Sequence, residues 1–296
     1  MSLMKISWRA LAIFVLPCLI LYLCIVFVPI LISIYYSFYD WNGIGEAHFV
    51  GISNYIEMLT KDKVFWPSFM RTIWYAVFSM IQIPVALLLA VWLRRYVKKP
   101  NFLVSSYFLP VILSVVVIGQ LWKNIYNPAS MGGLLNNILI SVGLEEWSKA
   151  WLSDPDVAIF AVIFVSLWQY LGYHLLIQFT GIQNIPTEIY EAARIDGAEG
   201  WKSDKYITFP LVVPVFKISL VLAIIGSLKT LDMVLVMTGG GPGNATQVIS
   251  SHMYKITFLS MEYGYGSTIS VFLIVACLLS TLLLNGLFKK SEDAIQ

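Results

Sequence analysis

The side chains able to do chemistry in this 296-residue chain are few and gathered in three places. The first is EIYEAARIDGAEGWKSDKYITFP, Glu188 to Pro210, where acids, bases and glycines crowd together in otherwise apolar sequence. It holds no convincing acid/base pair, so its chemistry is charge complementarity towards a partner or towards water. The second is split between Trp168, Gln169, Tyr170, Tyr173, His174 and Gln178 and, beyond the charged stretch, Ser227, Lys229, Thr230 and Asp232. Aromatic faces beside hydroxyls and amides suit holding a polar solute rather than reacting with one. The third, Thr238-Gly-Gly-Gly-Pro-Gly-Asn-Ala-Thr246, is glycine-rich but lacks the lysine of a phosphate-binding loop. Taken alone, it suits a flexible turn.

The elements that must carry these groups follow from composition. Hydrophobic residues make up 58%, charged residues 12%, and the mean hydropathy is +0.77, far from an average soluble domain. A net charge of +2 gives no reason to expect nucleic acid or an acidic substrate. Cys18, Cys24 and Cys277 lie in apolar runs with neither disulfide nor metal spacing. Tyr22-Leu23 before Cys24 are not the small residues of a lipoprotein site. The apolar run also continues to Ile34, too long for the core of a cleaved signal peptide, so the N-terminus reads as a retained span.

A helix needs about 20 mostly apolar residues to cross hydrocarbon. Six such segments are expected, at about 11–34, 72–93, 101–122, 157–180, 211–231 and 267–288. Pro29 and Pro84 fall inside spans, where a packed bundle tolerates them. In the fifth, Lys217 and Lys229 lie near the ends, where lysine stems can reach the interface. With the N-terminus inside, eleven Lys and Arg fall on inner segments and six on the longer outer ones, which favours both termini in the cytoplasm. The charged island then lies on the cytoplasmic side. Pro186-Thr187 offers a helix start, Glu188 and Glu191 suit the first turn, and Gly197 can leave the helix through a left-handed turn. A second short helix, from Ala198 to about Ile207, leads to Pro210, which restarts the chain as span five. The expected product is a helix-turn-helix knob, although a solvated loop without a partner has the same composition.

The spacing Glu191-Ala192-Ala193, three residues, Gly197, nine residues, Ile207, one residue, Phe209-Pro210 resembles the EAA loop of ABC importer permeases, with Phe209 where leucine is usual. Together with Ile185–Ala198 and the Thr-Gly-Gly-Gly-Pro run, it resembles the carbohydrate-uptake branch, the maltose and glycerol-phosphate type. The resemblance implies an all-α type I importer permease: residues 1–9 a cytoplasmic tail, 10–296 the permease domain, and 182–210 the coupling loop. It implies that Glu191, Ala192, Ala193, Gly197, Ile207 and Pro210 serve coupling to the ATPase. It also implies partners: a second, homologous permease, two cytoplasmic ATPase subunits that bind ATP and magnesium, an extracytoplasmic solute-binding protein, and the lipid bilayer of a bacterial plasma membrane. This chain itself would hold no cofactor, metal or nucleic acid and would catalyse no reaction. Family sugar contacts fall on Tyr173, Ser227 and Thr230, with Ser166, Tyr170, Ala223 and Gly226 beside them. Ala223, Ser227 and Thr230 share one helix face.

Duller roles stand beside each of these. Trp122, Trp147 and Trp151 suit an interfacial belt. Ser227 and Thr230 could bond neighbouring helices, and His174 could be a satisfied bundle histidine. Lys229 and Asp232 are spaced to pair with each other. An ion-gradient-driven transporter is the rival reading, although the spans lack acidic midplane residues for such coupling.

Overall fold

The computed structural model describes residues 8–293 and divides into two compact units. Residues 1–7, including Lys5, lie outside the described residues, and with them most of the expected N-terminal tail.

One unit comprises residues up to Asp62 together with Met253–Ile274. It begins with helix α1 (Trp8–Tyr22), a π-turn over Leu23–Phe27, and α2 (Val28–Tyr36). From Ala12 to Tyr36 this run is apolar all round and none of it is buried, as befits a helix surrounded by lipid. The π-turn closes with Val28 N–H donating to Leu23 O, one residue before Pro29, which has no N–H to give. Two short strands follow, β1 (Tyr39–Asp40) and β2 (His48–Phe49), paired antiparallel with Tyr39 opposite Phe49. Next comes α3 (Ser53–Thr60). Asn54 holds this corner by donating to Ser37 O and Tyr39 O, and Tyr36 stacks on Trp41 at 4.4 Å.

The second unit, Lys63–His252 with Val275 onwards, carries the candidate sites. Its helices are α4 (Phe65–Tyr96), α5 (Pro100–Ile112), α6 (Val115–Tyr126), α7 (Leu134–Ser141), α8 (Ala158–Gln183), α9 (Thr187–Ile195), α10 (Trp201–Ser203), α11 (Phe209–Leu228), α12 (Asp232–Met237) and the start of α13 (Ile249–Tyr254). The chain's final helix, α14 (Tyr263–Asp293), begins in the first unit and ends here. α8 is the central element, packed against α4, α5 and α11. Gly172 allows the tightest of these approaches, since a Cβ there would stand 1.9 Å from the Tyr107 carbonyl oxygen on α5. Leu93, Leu175, Phe179, Ile182 and Val212 form one buried cluster, and Tyr75, Ile118, Val162, Val165 and Val234 another.

Two expectations change. The apolar run expected to cross as one helix over 101–122 is broken: α5 and α6 meet at 93°. Leu113 and Ser114 between them are extended, and the Ser114 hydroxyl caps α6 by accepting from Val116 N–H. Hydropathy registers an unbroken apolar stretch here because the break costs only two backbone conformations and one cap. Pro210, in turn, does not restart the chain. Trp201–Leu228 is one continuous helical run, with a π-turn over Asp204–Thr208. Phe209 N–H reaches back to Asp204 O, and the wide turn passes the residue that cannot donate. The same device precedes both Pro29 and Pro210.

The glycine-rich run is also no loose turn. Thr246 Oγ1 donates to Gly241 O, Thr238 Oγ1 lies 2.7 Å from Thr246 Oγ1, and Ala245–His252 are buried. Ile249 N–H donates to Thr72 Oγ1 on α4, fixing the segment to the bundle.

Candidate functional site

The polar residues of α8 and α11 converge. Tyr170, Tyr173, Gly226, Ser227 and Thr230 all line one cavity of about 330 Å³, with Gln169, His174, Ala223, Lys229 and Asp232. The cavity is half open, the right size to take part of a small polar solute. Convergence follows from helix geometry: 170, 173 and 174 lie on one side of α8, while 223, 226 and 227 line the facing side of α11. Thr230, expected on that same helix face, lies just past the C-cap of α11 at Lys229 and reaches the cavity from the link to α12. Val115, at the first turn of α6, also reaches the cavity, so the break between α5 and α6 forms part of its wall.

Individual side chains sort the earlier alternatives. Ser227 is almost fully buried; its hydroxyl donates to Ala223 O at 2.8 Å and stands 2.9 Å from Ser79 Oγ on α4. It therefore bonds a neighbouring helix and borders the cavity at once. His174 is not a satisfied bundle histidine: it is buried and its Nδ1 has no hydrogen-bond partner. Gln169 is buried as well; it donates to Pro110 O in the last turn of α5 and keeps a free Oε1. Lys229 and Asp232 form no ion pair. The C-cap of α11 falls at Lys229 and α12 starts at Asp232, so the helical i, i+3 spacing that would have joined them is broken, and both charges face the cavity exposed. Trp122 and Trp151 pack against the buried cluster around Val162, whereas Trp147 is exposed.

Sequence reasoning missed the contribution of α4. Tyr75, Ser79 and Gln82 line the same cavity, with the Tyr75 hydroxyl 3.2 Å from Ser166 Oγ and the Gln82 amide donating to Leu167 O. Their spacing, four and then three residues in an apolar span, is a polar stripe on one helix face and was available as a signal.

The charged island folds as two parts. In α9 the residues Glu188, Glu191, Ala192 and Ile195, at i, i+3, i+4 and i+7, all point outward, and Ile195 is 88% exposed. The opposite face, Tyr190 and Ala193, packs inward. Gly197 ends the helix at φ +77°, a left-handed turn that Ala198 N–H closes onto Ala193 O. Ile207 and Pro210 are half-buried in the helical run behind the knob, so they position it rather than present it. A chain of contacts ties the knob to the end of α4. Arg94 lies 4.0 Å over the Tyr190 ring, and the Tyr190 hydroxyl is 3.1 Å from Thr208 Oγ1. Thr208 in turn donates to Asp204, which pairs with Arg95.

A profile of the family described as binding-protein-dependent transport system inner membrane component matches residues 68–293. The chain belongs to this family. The permease is 36% identical, over 95% of its own length and 96% of the other's, to the probable ABC transporter permease protein YurN of Bacillus subtilis. It is 34% identical to the probable starch degradation products transport system permease protein AmyD of Thermoanaerobacterium thermosulfurigenes, over 89% of each chain. Its backbone superposes with a TM-score of 0.82 on a chain of the crystal structure of a bacterial alginate ABC transporter in complex with alginate pentasaccharide-bound periplasmic protein, covering 95% of this chain and 94% of that one at 21% identity. At that identity the likeness speaks for the fold alone. The permease is an all-α, multi-pass membrane protein of the type I importer fold, and its family transports rather than catalyses.

Proposed function

We propose that this permease carries a sugar, oligosaccharide or sugar-like solute inward across a bacterial plasma membrane by alternating access, driven by ATP hydrolysed on separate subunits. The carrying observation is the convergence of Tyr170, Tyr173, Gly226, Ser227 and Thr230, from α8 and from the end of α11 and the link just beyond it, on one cavity. The relatives' names, with starch degradation products among their solutes, support the solute class. Tyrosine faces match the apolar sides of a pyranose ring, and the hydroxyls and amides around them match its hydroxyl groups. The outward face of α9, apolar at Ala192 and Ile195 and acidic at Glu188 and Glu191, is the surface that would enter a groove on a cytoplasmic ATPase. That orientation places both termini inside, in keeping with the distribution of Lys and Arg. ATP and magnesium belong to two such ATPase subunits, a second homologous permease completes the pore, and an extracytoplasmic binding protein delivers the solute.

The test is transport of maltose, lactose, sucrose and raffinose in vesicles holding the full complex, with assembled complexes counted. Tyr173→Ala, which loses a ring and a hydroxyl, should weaken half-saturation most. Thr230→Val and Ser227→Ala each remove one hydrogen bond, about 0.5–1.5 kcal/mol, a few-fold to about tenfold in affinity. Poor assembly with unchanged sugar preference in all three would reduce these residues to packing. Uptake that needs no ATPase but collapses with a protonophore would favour an ion-gradient transporter.

A further inference from the structure

The cavity does not exhaust the polar groups between α8 and α11. One helical turn beyond His174, Gln178 is fully buried, and neither atom of its amide has a hydrogen-bond partner. Ser219 on α11 is fully buried too, and its hydroxyl is likewise unpartnered. The register of the two helices sets these orphans at a similar level of the seam. His174 and Ala223 border the same cavity, and further along, Gly181 packs against Val215, where a Cβ would come within 2.9 Å of a Val215 methyl. Counted from the Gly181–Val215 approach along antiparallel helices, Gln178 and Ser219 fall about one turn nearer the cavity, each on its own helix. The seam thus carries four unsatisfied polar atoms, on His174, Gln178 and Ser219, stepping from the cavity towards the coupling-loop end. Buried polar groups almost always find partners, because an unpaired one bears its full desolvation cost. Such a run of exceptions implies a second state in which they are satisfied.

We infer that His174, Gln178 and Ser219 form an inner subsite for a polyhydroxylated solute, opened when α8 and α11 part and used as the solute leaves for the cytoplasm. The chemistry fits the class. An amide offers both donor and acceptor, and a hydroxyl and an imidazole nitrogen stand beside it, which suits the vicinal hydroxyls of a sugar and discriminates little between sugars. α11 is built to part from α8 here. Pro214, one turn beyond Ser219, has no N–H for the Pro210 carbonyl, so the helix can bend just beyond the seam. The inference rests on the cavity being the solute site, yet it concerns residues the cavity reading does not need.

Two measurements on the full complex in vesicles decide it. In a background with Cys18, Cys24 and Cys277 replaced, Gln178→Cys should react with a membrane-impermeant maleimide from the cytoplasmic face without nucleotide. It should be protected when ATP and vanadate trap the complex. Gln178→Leu keeps the volume and removes the polar pair. For whichever of maltose, lactose, sucrose or raffinose is carried fastest, it should lower the maximal transport rate about tenfold, the value of one lost hydrogen bond of the stronger kind, and leave half-saturation within about twofold. A Gln178→Cys thiol that never reacts in any state, or a Gln178→Leu complex with an unchanged maximal rate, would overturn the inner subsite and leave the orphans as fixed packing. Failure of the cavity reading looks different, because it shows as unchanged half-saturation in Tyr173→Ala.

Discussion

Gly197 gives the sharpest test of the knob, because its environment separates two costs that usually come together. A Cβ built on Gly197 meets nothing within 4 Å, so a side chain has room. The backbone alone resists, since φ is +77°. A left-handed conformation costs an ordinary L-residue about 1–2 kcal/mol, and more when it is β-branched, whereas asparagine adopts it readily. A cost of that size changes the population of the turn roughly 5–30-fold. The ranking in transport and in solute-stimulated ATP hydrolysis should be Gly, Asn, Ala, Val, with Gly197→Val down on the order of tenfold by this arithmetic. Capture of sugar-loaded binding protein should persist throughout. The assay is stimulated hydrolysis per assembled complex, with binding-protein capture measured in parallel. Equal activity in Gly197→Asn and Gly197→Val would refute the reasoning, because a cost independent of backbone preference cannot come from the turn.

Two further outcomes follow from the geometry. Arg95→Met strands the buried Asp204, a change worth about 3–5 kcal/mol for a fully buried pair and less here because Arg95 is partly exposed; thermal unfolding should show a large drop that Arg95→Met with Asp204→Leu largely restores. Gly172→Ala drives a methyl against the Tyr107 carbonyl and should lower the yield of assembled complex, whereas Gly226→Ala, with open space around its Cβ on the cavity wall, should assemble normally and alter sugar preference in the transport panel.

The sequence by itself determined the class of this protein and the outline of its two candidate sites. Apolar runs of spanning length force helices, because a backbone in hydrocarbon must satisfy its own hydrogen bonds. The Glu-Ala-Ala spacing with Gly197 is a local matter of helix start, helix face and left-handed exit, and local signals survive in sequence. Tyr173, Ser227 and Thr230 were legible as polar groups on apolar helices. Only the tertiary structure decided what they face. It brought Tyr75, Ser79 and Gln82 to the same cavity from α4, nearly a hundred residues before Tyr173, through packing that no local window records. It broke the third apolar run at Leu113-Ser114, where hydropathy cannot register a change of direction that leaves composition untouched. It separated Lys229 from Asp232 by ending one helix between them, although their spacing promised a pair. The same division explains Gln178 and Ser219. Each is an ordinary polar residue in its own helix, and only tertiary packing buries both without a hydrogen-bond partner.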